Sequence, residues 1–139
     1  MSTDCIFCKI IAGEIPSTRI YEDENTLVFM DINPIIHGHA LVIPKQHHAQ
    51  ITDTPTDALA RCIAVTKRVA KAQIDALGAE GVNLHQANGS VAGQVVDHIH
   101  FHVIPRFSGD GHHWNWNNKA YDSIEAMSEI GTKLKNAID

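Results

Sequence analysis

Between residues 98 and 104 the chain reads His98-Ile99-His100-Phe101-His102-Val103-Ile104, an imidazole alternating with an apolar side chain. Successive side chains of an extended strand point to opposite faces, so this spacing sets the three histidines on one face and Ile99, Phe101 and Val103 on the other. Same-face neighbours on a strand lie about 6.5 to 7 Å apart, close enough for a group held at the middle ring to touch both outer rings. Three readings fit such a row. It is an ordinary half-buried strand with a polar face, a His-x-His chelate for one metal ion, or a nucleophilic centre whose middle imidazole attacks phosphorus while the outer rings stabilise charge. Context favours the last. A neutral imidazole, with a pKa of about 6.5, is largely unprotonated near pH 7 and forms a labile phosphohistidine. Just ahead of the row lies Asn88-Gly89-Ser90-Val91-Ala92-Gly93-Gln94. Its glycines leave backbone N–H groups accessible, and Asn88 and Gln94 add amide donors for nonbridging oxygens.

A second cluster of chemistry stands near the start. Cys5-Ile6-Phe7-Cys8 has the spacing of half a zinc site, and His47 with His98 supplies a second half. Two reduced helix cysteines, or a redox pair, are the alternatives. The chain holds 3 cysteines, an odd number that speaks against a disulfide framework. Cys62 reads as a core thiol inside a helix. His37, His48 and His85 read as surface or packing residues, and His112 and His113 beside Trp114 as possible flanks of a ligand pocket.

These groups need a scaffold, and the pattern supplies one. A short helix is expected over residues 5–12, capped by Asp4 and stopped by Gly13. Strands are expected over residues 19–22 and 27–30, turned by Asp23-Glu24-Asn25, then over 39–44 after the bend at Gly38. From 55 to 77, Leu59, Ile63, Ala70, Ile74 and Leu77 recur at three-, four- and seven-residue steps and predict a long helix with a core-facing stripe. Further strands are expected over 82–86 and 95–105. Ile124, Met127, Ile130, Leu134 and Ile138 predict an amphipathic helix over 122–138. Five strands in hairpin-like succession around one crossover helix suggest an α+β meander.

Composition limits the partners. The 139 residues are 44% hydrophobic and 19% charged, as in an ordinary globular domain, and 10 of them are histidine. Lys plus Arg is 11 against 16 for Asp plus Glu, a formal charge of -5, and no basic run could form a stripe for nucleic acid. No apolar run approaches the roughly 18 residues that span a bilayer, and Met1-Ser2-Thr3-Asp4-Cys5 does not open like a secretory leader, so a cytoplasmic protein without membrane partners is expected.

Several segments in order extend the pattern to nearly the whole chain. HIHFHVI, with CIFCKIIAGEIP, FMDINP, GHALVIPKQH, NGSVAGQ and the closing IPR, resembles the histidine triad (HIT) hydrolase superfamily. The resemblance implies a HIT-like five-stranded antiparallel sheet with a long crossover helix and a C-terminal helix. It further implies one domain over residues 1–139 and a homodimer whose sheets join. It implies hydrolysis or transfer at the α-phosphorus of purine nucleotide conjugates, such as dinucleoside polyphosphates or nucleoside phosphoramidates, through a nucleotidyl-histidine intermediate. By position, His100 is then the nucleophile, and His102 touches the phosphate and supports transfer. His98 orients the centre, its carbonyl fixing the tautomer of His100, and His39 stands behind the triad. Asp31 would bond ribose hydroxyls, Phe7 and Ile32 line the base pocket, and Asn88 and Gln94 serve as phosphate-side amides. Histidine at 102, where the uridylyltransferase branch has glutamine, points to water as acceptor. Val95 departs from the serine that some phosphoramidases carry, which weighs against efficient phosphoramidate cleavage. Pro105-Arg106 is similar to dinucleoside polyphosphate hydrolases and bacterial members, while HHWNWNN matches no family segment. Bacterial members with the Cys-x-x-Cys pair and a histidine after IPK imply a structural zinc on Cys5, Cys8, His47 and His98. A nucleotide-binding module with weak or no catalysis and a metal-dependent hydrolase are the competing readings.

Overall fold

The computed structural model describes residues 4–139 and opens on a short helix, α1 (Ile6–Ile11). Its cap is Cys5 rather than Asp4, because the Cys5 backbone is extended and its Sγ accepts from the Cys8 N–H at 3.4 Å. The reading of the chain start rests partly on Met1, Ser2 and Thr3, which lie outside the described residues. Two strands follow, β1 (Arg19–Glu22) and β2 (Thr26–Met30), joined by a turn in which Asp23 Oδ1 accepts from the N–H groups of Asn25 and Thr26, each at 2.8 Å. Next come β3 (Ala40–Pro44), the long helix α2 (Thr56–Leu77), β4 (Gly81–His85), β5 (Phe101–Arg106) and α3 (Ile124–Ala137).

The strands form one antiparallel sheet in the order β1-β2-β3-β5-β4. This is not the expected meander. Crossover through α2 carries the chain past β3 to the sheet edge, and β5 then returns into the gap between β3 and β4. His102, the last of the histidine row, is thereby placed in the interior of the sheet, paired with Leu41 of β3 and His85 of β4.

Both faces of the sheet are covered. Val28, Ala40, Val42, Ile99, Phe101 and Val103 pack on Cys62, Val65 and Val69 of α2. On the opposite face Leu27, Phe29, Leu41 and Ile43 pack with Cys5, Phe7, Cys8 and Ile10 around α1. The alternation read from residues 98–103 therefore holds: Ile99, Phe101 and Val103 belong to the α2 core. Burial of side chains of this kind contributes about 1.5–3 kcal/mol each, which fixes the face on which the imidazoles must sit.

Two further expectations are corrected. Regular pairing of β5 begins at Phe101, not at Val95, since its ladder with β3 spans only Val42↔Phe101 to Ala40↔Val103. His98 and His100 precede the strand, and Ile99 N–H donates instead to the His48 carbonyl at 2.7 Å. In α2 the inward residues are Ala58, Cys62, Val65, Thr66, Val69 and Gln73, whereas Ile63, Ile74 and Leu77 are about half exposed. Both sets obey helical spacing, but the smaller side chains let the helix lie close on the strands. Gln73 is admitted because its Nε2 donates to the carbonyls of Gly38 and Val103, at 3.0 and 2.9 Å. Finally, α3 forms as expected but buries none of its residues.

Gly38 sets the approach to β3. Its φ is +106°, and a Cβ there would lie 2.7 Å from Leu77 Cδ1 and 3.0 Å from Pro105 Cγ. No other residue type meets both demands. Among the described residues no helix is long and apolar enough to cross a membrane.

Candidate active site

The triad face is a layer between the sheet and α1. His98 is fully buried and His100 nearly so, while His102 is partly open. The Phe7 ring meets His98 and His100 edge-on, with centroids 5.9 and 5.1 Å away, so the first helix supplies the wall that excludes water.

Backbone carbonyls and one backbone N–H assign the tautomers. A carbonyl only accepts, so His100 Nδ1 must donate to the His98 carbonyl at 2.7 Å, which leaves Nε2 with an unshared lone pair. By the same rule His98 Nε2 donates to the Pro44 carbonyl at 2.8 Å, and its Nδ1 lone pair turns toward the cysteines. His39 is reversed. Its Nδ1 accepts from the Ile35 N–H at 3.1 Å, so its Nε2 carries the proton and donates to His102 Nδ1 at 2.9 Å. His102 accordingly bears its proton on Nε2. Asp31 Oδ2 stands 3.5 Å from His39 Nε2, while Asp31 Oδ1 accepts from the Asn33 N–H at 2.8 Å and so also caps the turn.

Burial pushes the imidazoles of His98 and His102 down to about 4, with neighbouring histidines adding to the fall, and lowers His39 and His100 in the same direction. A row of neutral rings results at pH 7, one lone pair and one N–H facing the same space.

Cys5 Sγ, Cys8 Sγ, His47 Nδ1 and His98 Nδ1 lie within 4.8 Å of one another. Their sulfur–nitrogen separations are 3.5, 3.4 and 3.6 Å, and the two nitrogens are 3.2 Å apart. A tetrahedral ion with Zn–S of about 2.3 Å and Zn–N of about 2.0–2.1 Å has edges of about 3.5 and 3.3 Å, so the donor set fits a zinc ion. Asp31, His39 and His102 also place ligand-type atoms within 4.8 Å. That group does not suit a metal, because coordination through His39 Nε2 would force a proton onto Nδ1 against the Ile35 N–H.

The remaining residues divide. Phe7 and Asp31 join the cluster, whereas Ile32 is 91% exposed on the loop beside Asp31. Asn88 Oδ1 accepts from the Ile51 N–H at 2.7 Å. Gln94 is buried, with Oε1 accepting from Gly89 N–H and Nε2 donating to the carbonyls of Ala49 and Val96, so it holds the glycine loop against its neighbours. Cys62 is a core thiol, and burial raises it to about 11. His85, read from the sequence as a surface or packing residue, is exposed but lies beside the triad. In the β4–β5 register it stands opposite His102, ring centroids 5.5 Å apart, and Trp114 stacks on it at 6.1 Å and 16°. Antiparallel pairing across the glycine loop was the signal that could have found it. An apolar cavity of about 600 Å³ between α2 and β1 lies apart from this cluster and contains none of its residues.

Comparison with known proteins gives matching results. A family profile described as "HIT domain" matches residues 12–109. An adenosine 5'-monophosphoramidase of Candida albicans is 40% identical over 139 residues, covering 96% of this chain and 91% of its own length. Among solved structures, a member of the HIT family from Bacillus subtilis superposes with a TM-score of 0.91 at 38% identity, covering 98% of each chain. A zinc-bound histidine triad family protein from Mycobacterium smegmatis gives a TM-score of 0.78 at 40% identity, covering 99% of this chain and 100% of the other.

Proposed function

The chain belongs to the HIT domain family, and from that premise we propose that it hydrolyses purine nucleotide conjugates at the α-phosphorus through a nucleotidyl-histidine intermediate on His100. One observation carries the reading: the 2.7 Å bond from His100 Nδ1 to the His98 carbonyl, which leaves Nε2 as the only lone pair the ring can use. Nε2 forms a bond to phosphorus as the bond from phosphorus to the leaving group breaks, and the electron pair departs with that group. Water then attacks the same phosphorus and gives a proton to solvent. The phosphorus–nitrogen bond breaks, its electrons return to Nε2, and the nucleoside monophosphate is released.

His102 assists as a fixed donor. With Nδ1 occupied by the His39 N–H, its Nε2–H points at charge developing on phosphate and leaving-group oxygens. A neutral, hydrogen-bonded ring stabilises that charge without surrendering its proton. Leaving groups that depart as weakly basic anions, such as the phosphates of dinucleoside polyphosphates, suit it better than amines that need protonation. Val95 supplies no hydroxyl to change that balance. Asp31 and Phe7 are placed for ribose and base, with Ile32 covering the base from its exposed loop; Asn88 and Gln94 keep the loop N–H groups in position.

Cys5, Cys8, His47 and His98 would hold a structural zinc, whose contribution is to neutralise the thiolates and lock the four side chains together. The chain also pairs with a second copy along the open edge of β4, joining the two sheets, and works in the cytoplasm. The competing reading as a binding module predicts nucleotide affinity without turnover. Steady-state hydrolysis of diadenosine tetraphosphate by wild type and His100→Ala separates them: turnover lost by at least a thousandfold in the variant is expected, and full turnover in His100→Ala removes the assigned nucleophile.

A further inference from the structure

The rings of the site form a row in which each touches the next: Phe7 to His100 at 5.1 Å, His100 to His102 at 5.0 Å, His102 to His85 at 5.5 Å, and His85 to Trp114 at 6.1 Å. Phe7 closes the end beside the nucleophile. In the proposed hydrolysis the leaving group departs past the donor His102, toward the opposite end. Two aromatic side chains are fixed there although both remain partly exposed. Trp114 Nε1–H donates to Asn83 Oδ1 at 2.7 Å, and the same oxygen accepts from Arg106 at 2.8 Å. Arg106 in turn is clamped by Asp110 through bonds of 2.8 and 3.0 Å and donates to the His112 carbonyl at 2.6 Å. The His112 ring meets Trp114 edge-on at 4.7 Å and 88°. This bracing orients an indole whose packing alone does not require it, since 36% of the residue stays open.

We propose that Trp114, backed by the His85 ring stacked against it, is the leaving-group subsite, on whose open indole the ring of a second nucleoside stacks. The inference rests on the hydrolase reading above and narrows it to conjugates with a planar group on the far side of the phosphates, dinucleoside polyphosphates foremost. Aromatic rings held nearly parallel accept a base face-on, with a gain that varies little among purines and pyrimidines.

Two substrates that share the attacked phosphorus and a phosphate leaving atom isolate the effect: diadenosine tetraphosphate, whose leaving group carries adenine, and adenosine 5'-tetraphosphate, whose leaving group carries none. For Trp114→Ala and His85→Ala, the ratio of kcat/KM between the first and the second should fall roughly five- to tenfold, chiefly through KM. Trp114→Phe, which keeps a ring, should recover most of the ratio. An unchanged ratio in folded variants, or an equal fall on both substrates, overturns the subsite while leaving the hydrolase reading intact. A wild-type protein inert to both substrates overturns the hydrolase reading and the subsite together.

Discussion

His100 and His102 present the same ring nitrogen, Nε2, to the same space, one as a lone pair and the other as an N–H, because the groups behind them differ. A carbonyl sits behind His100 and takes its Nδ1–H, while an N–H sits behind His102 and fills its Nδ1 lone pair. Swapping either partner would interchange nucleophile and donor. For this reason His39→Ala, which frees His102 to take the other tautomer, should cut kcat on diadenosine tetraphosphate by about ten- to a hundredfold with a smaller effect on KM; a pure KM effect would contradict the assignment. Protonation gives a second check. The folded-state pKa of His102, about 4, lies below the value of about 6.5 expected in the unfolded chain, so the unfolded chain takes up the proton first. Stability from this residue is complete above about pH 6.5 and declines as the pH falls toward 4. Urea midpoints between pH 7.5 and 4.5 should show that decline, shallower in His102→Gln; equal slopes would remove His102 as a source. At this scale the sequence was informative where spacing alone decides geometry, as in the triad and Cys-x-x-Cys. It gave His85 only as a surface or packing residue, because its place beside His102 depends on strand register.

Elements hold these residues at two points. The helix α1 brings Cys5 and Cys8 to His98, and the backbone of His98 then holds His100, so the metal-type cluster and the nucleophile share one residue. Cys8→Ala should therefore lose bound zinc by elemental analysis. It should also lose stability of about 4 kcal/mol where free zinc exceeds its Kd about a thousandfold. Unchanged metal content would discard Cys8 as a ligand. At the other point Gly38 lets β3 enter beside Leu77 and Pro105. Gly38→Ala should cost about 1–3 kcal/mol in denaturant unfolding, from a left-handed φ combined with overpacking, and a neutral result would show that the α2 end yields easily. Strand and helix positions were legible because turn residues and periodicity agree locally. The inward face of α2 was not, since two stripes share the same spacing and only the distance between helix and sheet chooses Cys62 and Val69 over Ile63 and Ile74. Nor was the β4–β5 exchange, which no local signal encodes.

At the scale of the molecule, apolar surface remains to be explained. Leu84 on the edge strand, Ile63 and Ile74 on α2, and Ile124, Met127, Ile130 and Leu134 on α3 are all exposed. An open strand edge and apolar helical faces of this kind are what a self-associating chain presents. Sedimentation should give the mass of two chains, with Leu84→Arg shifted toward one; a wild-type monomer at micromolar concentration would reject pairing along β4. Net charge is -5, and the reactive cluster of His39, His98, His100 and His102 contains no lysine or arginine, which accords with recognition by position rather than by charge steering. In the proposed hydrolysis one nitrogen of one side chain becomes covalently bonded to phosphorus. Rapid acid-free quenching during turnover of diadenosine tetraphosphate, followed by peptide mass analysis, tests it directly. A nucleotidyl adduct on the peptide containing His100, absent from His100→Ala, is expected; an adduct on another residue, or turnover in His100→Ala equal to wild type, would remove His100 as the nucleophile.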